Sequence, residues 1–262
     1  MWSLVAAALL PLVLSPALAQ SRQSAPGCDV PEVVDRIEAV SEDGEIRLGR
    51  LGAVRIADIR LPEGNEAARP LAWLRSLAGR ETRVSAGPPD RWQRRRAILL
   101  LKDDVPPIDV GELLVAEGYA LVDPGEEDTL CRPNLLAVET HARERRLGLW
   151  KADGEPLLRA LDTAAVAKQV GRFAIVEGRV VSVGERAART YLNFGHVGTG
   201  ALTVTLPKRT WSTLRARGVT AESLRGRRVR ARGIVEMWRA ATMEVVAPEL
   251  IEILDGNPDL KR

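Results

Sequence analysis

Beyond residue 30 the chain falls into three short runs in which apolar and polar residues alternate, over 33–41, 45–50 and 54–61. Asp43-Gly44 and Leu51-Gly52 separate them, and both pairs favour tight turns, so the runs predict three successive strands. Alternation is clearest in the third, where Val54, Ile56 and Asp58 share one face and Arg55, Ala57 and Ile59 the other. Pro62 then stops the strand. Over 66–77 the apolar spacing becomes helical at Leu71, Leu74 and Leu77, with Gly79 as the stop. Strands are predicted again over 82–86 and 97–102, joined by the basic loop Asp90-Arg91-Trp92-Gln93-Arg94-Arg95-Arg96. Two helices follow, with Asp109 and Asn134 as expected N-caps because their side chains can accept the unpaired first-turn N–H groups. Gly148-Leu149-Trp150 closes this first unit.

Residues 151–170 are rich in alanine and predict a helical connector. Past it the chain reads as β again, with strands over 173–183, 190–194 and 201–206. A helix follows over 207–217, through Trp211 and Leu214. Strands over 227–236 and 242–254 complete the pattern, the last broken at Pro248. Three strands, a helix and two strands is the order of a small five-stranded Greek-key barrel of the OB type. The expected fold is therefore mainly β with packed helices (α+β), in two units spanning 28–150 and 171–254.

The 262 residues are 45% hydrophobic, which excludes a disordered chain. The first 20 residues form the one long uncharged apolar run, which excludes a helical membrane bundle. That run reads as a secretory signal over 1–19, with an apolar core from Leu4 to Leu14, a break at Pro16 and a cleavage site at Ala17-Leu18-Ala19. No basic residue precedes its core, and an uncleaved anchor is the alternative. A periplasmic or secreted, monomeric protein without a membrane span after cleavage is expected. Two cysteines are too few for a cysteine-based metal centre. In an exported chain Cys28 and Cys131 pair as one disulfide or stay as two buried thiols, and the disulfide is the favoured reading. Charge is uneven: residues 1–150 carry 19 basic and 23 acidic residues, a net of −4, and residues 151–262 carry 19 and 12, a net of +7. The second half is thereby the part expected to meet a polyanion.

The residues that carry chemistry lie at predicted strand ends: Asp43-Gly44-Glu45, Arg55, Arg60-Leu61-Pro62-Glu63, and Arg94 in the basic loop. Carboxylates and arginines converging there suit phosphodiester chemistry, in which a hard cation takes carboxylate oxygens, a carboxylate activates water and guanidinium groups hold the phosphate. From Val33 to Trp150 the order and spacing of these motifs resemble the thermonuclease, or staphylococcal-nuclease-like, family. Asp43-Gly44-Glu45-Ile46, Val54-Arg55-Ile56, Arg60-Leu61-Pro62-Glu63, Asp90-Arg91-Trp92-Gln93-Arg94 and the closing Gly148-Leu149-Trp150 occupy that family's motifs in sequence.

The resemblance implies a nuclease-type OB barrel with three helices, and an endonuclease acting on DNA or RNA. It assigns Arg55, Glu63 and Arg94 to catalysis, Glu45 to a Ca²⁺ ion, and nucleic acid as the partner. Arg60 stands where the family has a second metal-binding Asp. Exchanging −1 for +1 there argues against Ca²⁺, since even one unit pair at 4 Å is worth about 4 kcal/mol at an effective dielectric near 20. The alternative function is then a catalytically inactive nucleic-acid-binding or scaffolding protein on the nuclease fold. Arg60, Arg91 and Trp92 in the first unit, and the alternating Arg228, Arg230 and Arg232 in the second, are the expected nucleic-acid contacts, with Tyr191, Phe194 or Trp238 as stacking surfaces.

Overall fold

The computed structural model describes residue 28 and residues 30–151, 156–196, 199–238 and 240–255. The leader expected over 1–19 lies outside them. Strands β1 (Glu32–Val40), β2 (Ile46–Leu48) and β3 (Gly52–Ile56) run antiparallel in succession. After the two-residue strand β4 (Ile59–Arg60) and helix α1 (Ala68–Arg75), strands β5 (Glu81–Pro89) and β6 (Arg95–Leu101) complete the sheet. β1 pairs β5, β5 pairs β6, and β3 lies parallel to β6 with Arg55 opposite Arg96, which closes a five-stranded barrel. Its inward residues, among them Ile37, Ile46, Val54, Val84 and Leu99, form one core with Leu74 of α1. The expected period-2 pattern is thus what fills the barrel.

The third strand is shorter than its alternation suggested. It stops at Ile56, because Asp58 takes a left-handed backbone (φ 61) and turns the chain. Residues 59–60 leave the barrel and pair instead with Leu121 and Val122. The rest of the unit comprises β7 (Ile108–Asp109), α2 (Val110–Ala116), β8 (Leu121–Val122) and α3 (Leu135–Glu144). Asp109 caps α2 as expected, accepting the Glu112 N–H at 3.0 Å. Asn134 does not cap α3: its backbone is already helical and its side chain takes no N–H. Cys28 and Cys131 form the disulfide, fixing the first described residue to the segment before α3.

The described residues of the expected helical connector are mostly structured otherwise. Leu157–Arg159 is a strand, β9, parallel to the next barrel strand, and among the described residues of the connector only Thr163–Ala167 is helix (α4). The apolar pair Leu157-Leu158 gains more by lying along a sheet edge than a short alanine run gains as a free helix, since isolated helices of that length are marginal. The second barrel is built from β10 (Phe173–Arg179), β11 (Ser182–Glu185), β12 (Arg189–Asn193) and β13 (Thr203–Pro207). Helices α5 (Lys208–Ala216) and α6 (Ala221–Leu224) lead to β14 (Arg228–Met237), β15 (Ala241–Glu244) and β16 (Ile251–Ile253). β10 and β11 are halves of the one strand expected over 173–183. At the break Val180 donates to Arg227 and Val181 to Asn193, so the chain passes from one neighbouring strand to the other. The order β11-β12-β13-β15-β14-β10 therefore closes on itself, with β13 and β15 parallel. Both barrels share this connectivity, with the third and fifth strands parallel and a helix between the third and fourth.

The two units form one packed body. Leu121, Ala142 and Trp150 of the first bury themselves against Ile175 of the second, with Phe173 and Leu157 alongside. Gly148-Leu149-Trp150 is thus the seam between the barrels. Among the described residues no helix is long and apolar enough to cross a membrane.

Candidate nucleic-acid interface

The β1–β2 turn presents the first group. Gly44 is required there, because its φ is 82 and a Cβ would lie 2.3 Å from the Leu61 side chain. The turn holds Asp43 against Arg55, whose Nη2 donates to Asp43 Oδ2 at 2.8 Å on an exposed surface. The Ser41 hydroxyl donates to the other oxygen at 2.5 Å, and Ser41 first, then Arg55, keep the Asp43 carboxyl below the usual range. Glu45, next along, is half-buried, and Glu63 is exposed at the start of a 3-10 turn with a side chain that caps nothing.

The β5–β6 loop presents the second group. Asp90 accepts the backbone N–H groups of Trp92 and Arg94 at 2.8 and 2.9 Å and a two-toothed contact from the Arg94 guanidinium at 3.0 and 2.9 Å. Desolvation works against the Asp90 charge, but these donors outweigh it and hold the carboxyl low. The loop so pinned raises Trp92 to 59% exposure. The Arg91 and Arg94 guanidiniums lie over its ring, 4.3 and 4.6 Å from the centroid. Arg91 has no carboxylate partner among the described residues. Because β3 and β6 are parallel neighbours, this loop and Arg55 belong to adjoining strands of one barrel wall.

Residues 53–152 match the family model described as staphylococcal nuclease homologue. Over these residues the chain is similar to that family. No curated protein matches the chain.

Within this nuclease-fold domain the position that matters most is Arg60. Its Nε donates to Asp123 Oδ2 at 2.7 Å, and its guanidinium lies 5.0 Å from the Phe173 ring of the second barrel. The residue at the position where the resemblance implies a second metal ligand therefore anchors the two units to each other. Asp58, two residues before Arg60, is 1% exposed and faces inward. It accepts the Arg132 N–H at 2.8 Å and pairs with Arg96 at 3.2 Å. Arg96 also reaches Glu127, at 3.4 Å. Among the described residues no three His, Cys, Asp or Glu side chains are grouped to hold a metal. Asp43 is already occupied by Ser41 and Arg55, and Glu45 alone is one carboxylate where Ca²⁺ takes six to eight oxygens. The residues present do not fit the ion.

The expected arginine face of the second barrel is not exposed. Arg228 bonds Glu177 at the surface, but Arg230 lies between Glu177 and Glu252 at 3.1 and 3.3 Å, nearly buried. Arg232 is fully buried and reaches Glu139 of α3 at 2.5 Å and Glu252 at 2.6 Å. Burial disfavours its charge, yet Glu139 and then Glu252 hold the guanidinium pKa above its ordinary value. The cause of the correction is topological: β14 pairs on both edges, and the first unit packs over the face these arginines share. Phe194, expected as a stacking surface, is core. Tyr191 is half-buried and Trp238 is 86% exposed. Sequence reasoning missed Asp123, Glu127 and Arg132. The signal available was the acidic stretch 123–128, which supplies carboxylates for Arg60 and Arg96.

Proposed function

We propose that the chain binds nucleic acid on the outer wall of the first barrel and does not cut it by a Ca²⁺-dependent route. The observation that carries this reading is the loop that lifts Trp92 into solvent beside two guanidiniums. An exposed indole offers a stacking surface to a base, and neighbouring arginines offer bidentate donors to phosphate. Arg55 and Arg94 are paired at the surface with Asp43 and Asp90, and such exposed pairs are worth only about 0–1 kcal/mol, so a phosphate can displace the carboxylate. Asp43 and Asp90, both held ionised, compete for the same arginines and keep the affinity modest. Cleavage has no support from position 60, where an anchoring arginine replaces a ligand. The Cys28–Cys131 disulfide supports an oxidising location, periplasmic or extracellular, as the leader suggests.

The test is fluorescence anisotropy with a labelled single-stranded oligonucleotide across a salt series. Binding that weakens steeply with salt, and a loss of about tenfold or more in Trp92→Ala, is expected. No binding at low salt would refute the proposal, and cleavage that depends on Ca²⁺ would refute its second half.

A further inference from the structure

The second barrel has an opening of its own. A cleft of about 440 Å³ lies at the end of the sheet formed by β11, β12 and β13, and reaches Ala240 in the β14–β15 turn. Three of its polar groups form a ladder across the three strands. The Asn193 amide donates to Ser182 Oγ at 3.1 Å, and Thr203 Oγ1 donates to Asn193 Oδ1 at 3.2 Å. Strand register puts these residues directly opposite one another. The ladder leaves one Asn193 N–H, the Ser182 hydroxyl hydrogen and acceptor capacity on Thr203 for a ligand. Gly195, Gly200, Ala201 and Ala240 supply small walls. Among the described residues lining the cleft none is Lys, Arg, Asp or Glu, and His196 is the titratable one.

Trp238 lies two residues before Ala240 of the cleft wall. It is 86% exposed, and its backbone N–H donates to the Ala240 carbonyl at 3.2 Å, which ties the indole-bearing turn to the cleft wall. A large exposed ring, without a ring or cation partner among the described residues, close to a wall of amide, hydroxyl and imidazole groups matches a flat, hydrogen-bonding ligand. Among the described lining residues His196 is the one that can carry positive charge, and no Lys or Arg stands there to hold a phosphate.

We infer that this cleft takes an unpaired nucleobase, read by Asn193, Ser182 and Thr203 and stacked on Trp238, as a second subsite for the strand held at the Trp92 loop. The inference rests on the nucleic-acid reading above and adds to it a division of labour. The first barrel holds backbone phosphate, and the second holds a base. Duplex, whose bases are already stacked and paired, gains nothing from the second subsite.

The two contributions separate by their salt dependence. Removing one arginine–phosphate interaction lowers the slope of log K against log salt for a single strand by about 0.7, whereas removing a base interaction weakens binding at every salt concentration equally. The full chain is titrated with a labelled single strand of about 12 nucleotides, within the 4–16 that one such barrel spans, and with the matching duplex. Trp238→Ala and Asn193→Leu should each weaken single-strand binding about tenfold, leave the salt slope as in wild type, and leave duplex binding unchanged. Arg94→Ala should lower the slope. Trp238 is exposed enough for its variant to fold whatever becomes of Asn193→Leu. If wild type and Trp238→Ala bind the single strand alike at all salt concentrations, the inference is overturned and the first-barrel reading stands. If wild type binds no strand at all, the first-barrel reading fails. Chitotetraose, a neutral oligosaccharide, serves as the other probe: binding by wild type that Asn193→Leu abolishes would reassign the cleft and overturn the inference.

Discussion

Glu139→Ala should destabilise both barrels at once. Glu139 is 1% exposed and Arg232 is fully buried, and the two meet at 2.5 Å across the seam between the units. The other Glu139 oxygen accepts the Val122 N–H of β8 at 2.7 Å. Removing one partner of a buried ion pair costs about 3–5 kcal/mol. Arg232 keeps Glu252 at 2.6 Å, which puts the loss near the lower bound. The orphaned Val122 N–H adds about 1 kcal/mol. A total near 4 kcal/mol corresponds to a fall in Tm of roughly 8–16 °C for a body of this size. The assay is thermal and urea unfolding followed by circular dichroism. Glu139→Leu combined with Arg232→Met should recover most of the loss, because apolar groups of similar volume remove the desolvation cost and Glu252 retains Arg230. A Glu139→Ala change below about 1 kcal/mol, or a double variant no better than the single one, would refute the claim that this pair locks the units together.

Arg60→Asp should leave the nearly buried Asp123 without its cation, cost about 1–3 kcal/mol in urea unfolding and give no Ca²⁺ binding heat in calorimetry. Ca²⁺ binding by that variant would show that the anchor alone keeps the metal out. Replacing both cysteines by serine removes a link between residues 103 apart and should lower stability by about 2–4 kcal/mol, read from the urea midpoint under non-reducing conditions. At Glu177 burial opposes the charge, but Arg228 and then Arg230 outweigh it and hold the carboxyl below its ordinary 4.5. Its contribution is complete above that value and is lost as pH falls through the lowered folded value, so wild type should lose stability on acidification. Glu177→Gln should flatten the part of the pH curve below about 4.5, and an unchanged curve would count against the pairing.

The first barrel was legible because its turns and alternation carry local information. Gly44 and Asp109 do in the structure what their residue types predict. The limits of β3 were not legible, since Asp58 reads as one more alternating residue until Arg96 and Arg132 are seen around it. Arg228, Arg230 and Arg232 show the same limit at larger scale. Their period-2 spacing identifies one face of a strand, but whether that face meets water depends on the packing of α3 and β8, far away in sequence. Arg60 is the sharpest case. Read along the chain it is a missing ligand, and replacing it by Asp looks like a repair. Asp123 and Phe173, distant in sequence, give it a use, and the repair becomes the breaking of an anchor. Asn134 failed for a local reason: a side chain able to cap does not do so when its own backbone is already helical.

The central claim, a nuclease-fold protein that holds nucleic acid without cutting it through Ca²⁺, is tested most directly on one labelled single strand. The strand is incubated with the full chain in Ca²⁺, Mg²⁺ or EDTA, and each sample is divided between a native and a denaturing gel. The account predicts a shifted band on the native gel in all three lanes and an intact strand on the denaturing gel. Fragments that appear with Ca²⁺ and vanish with EDTA would contradict it.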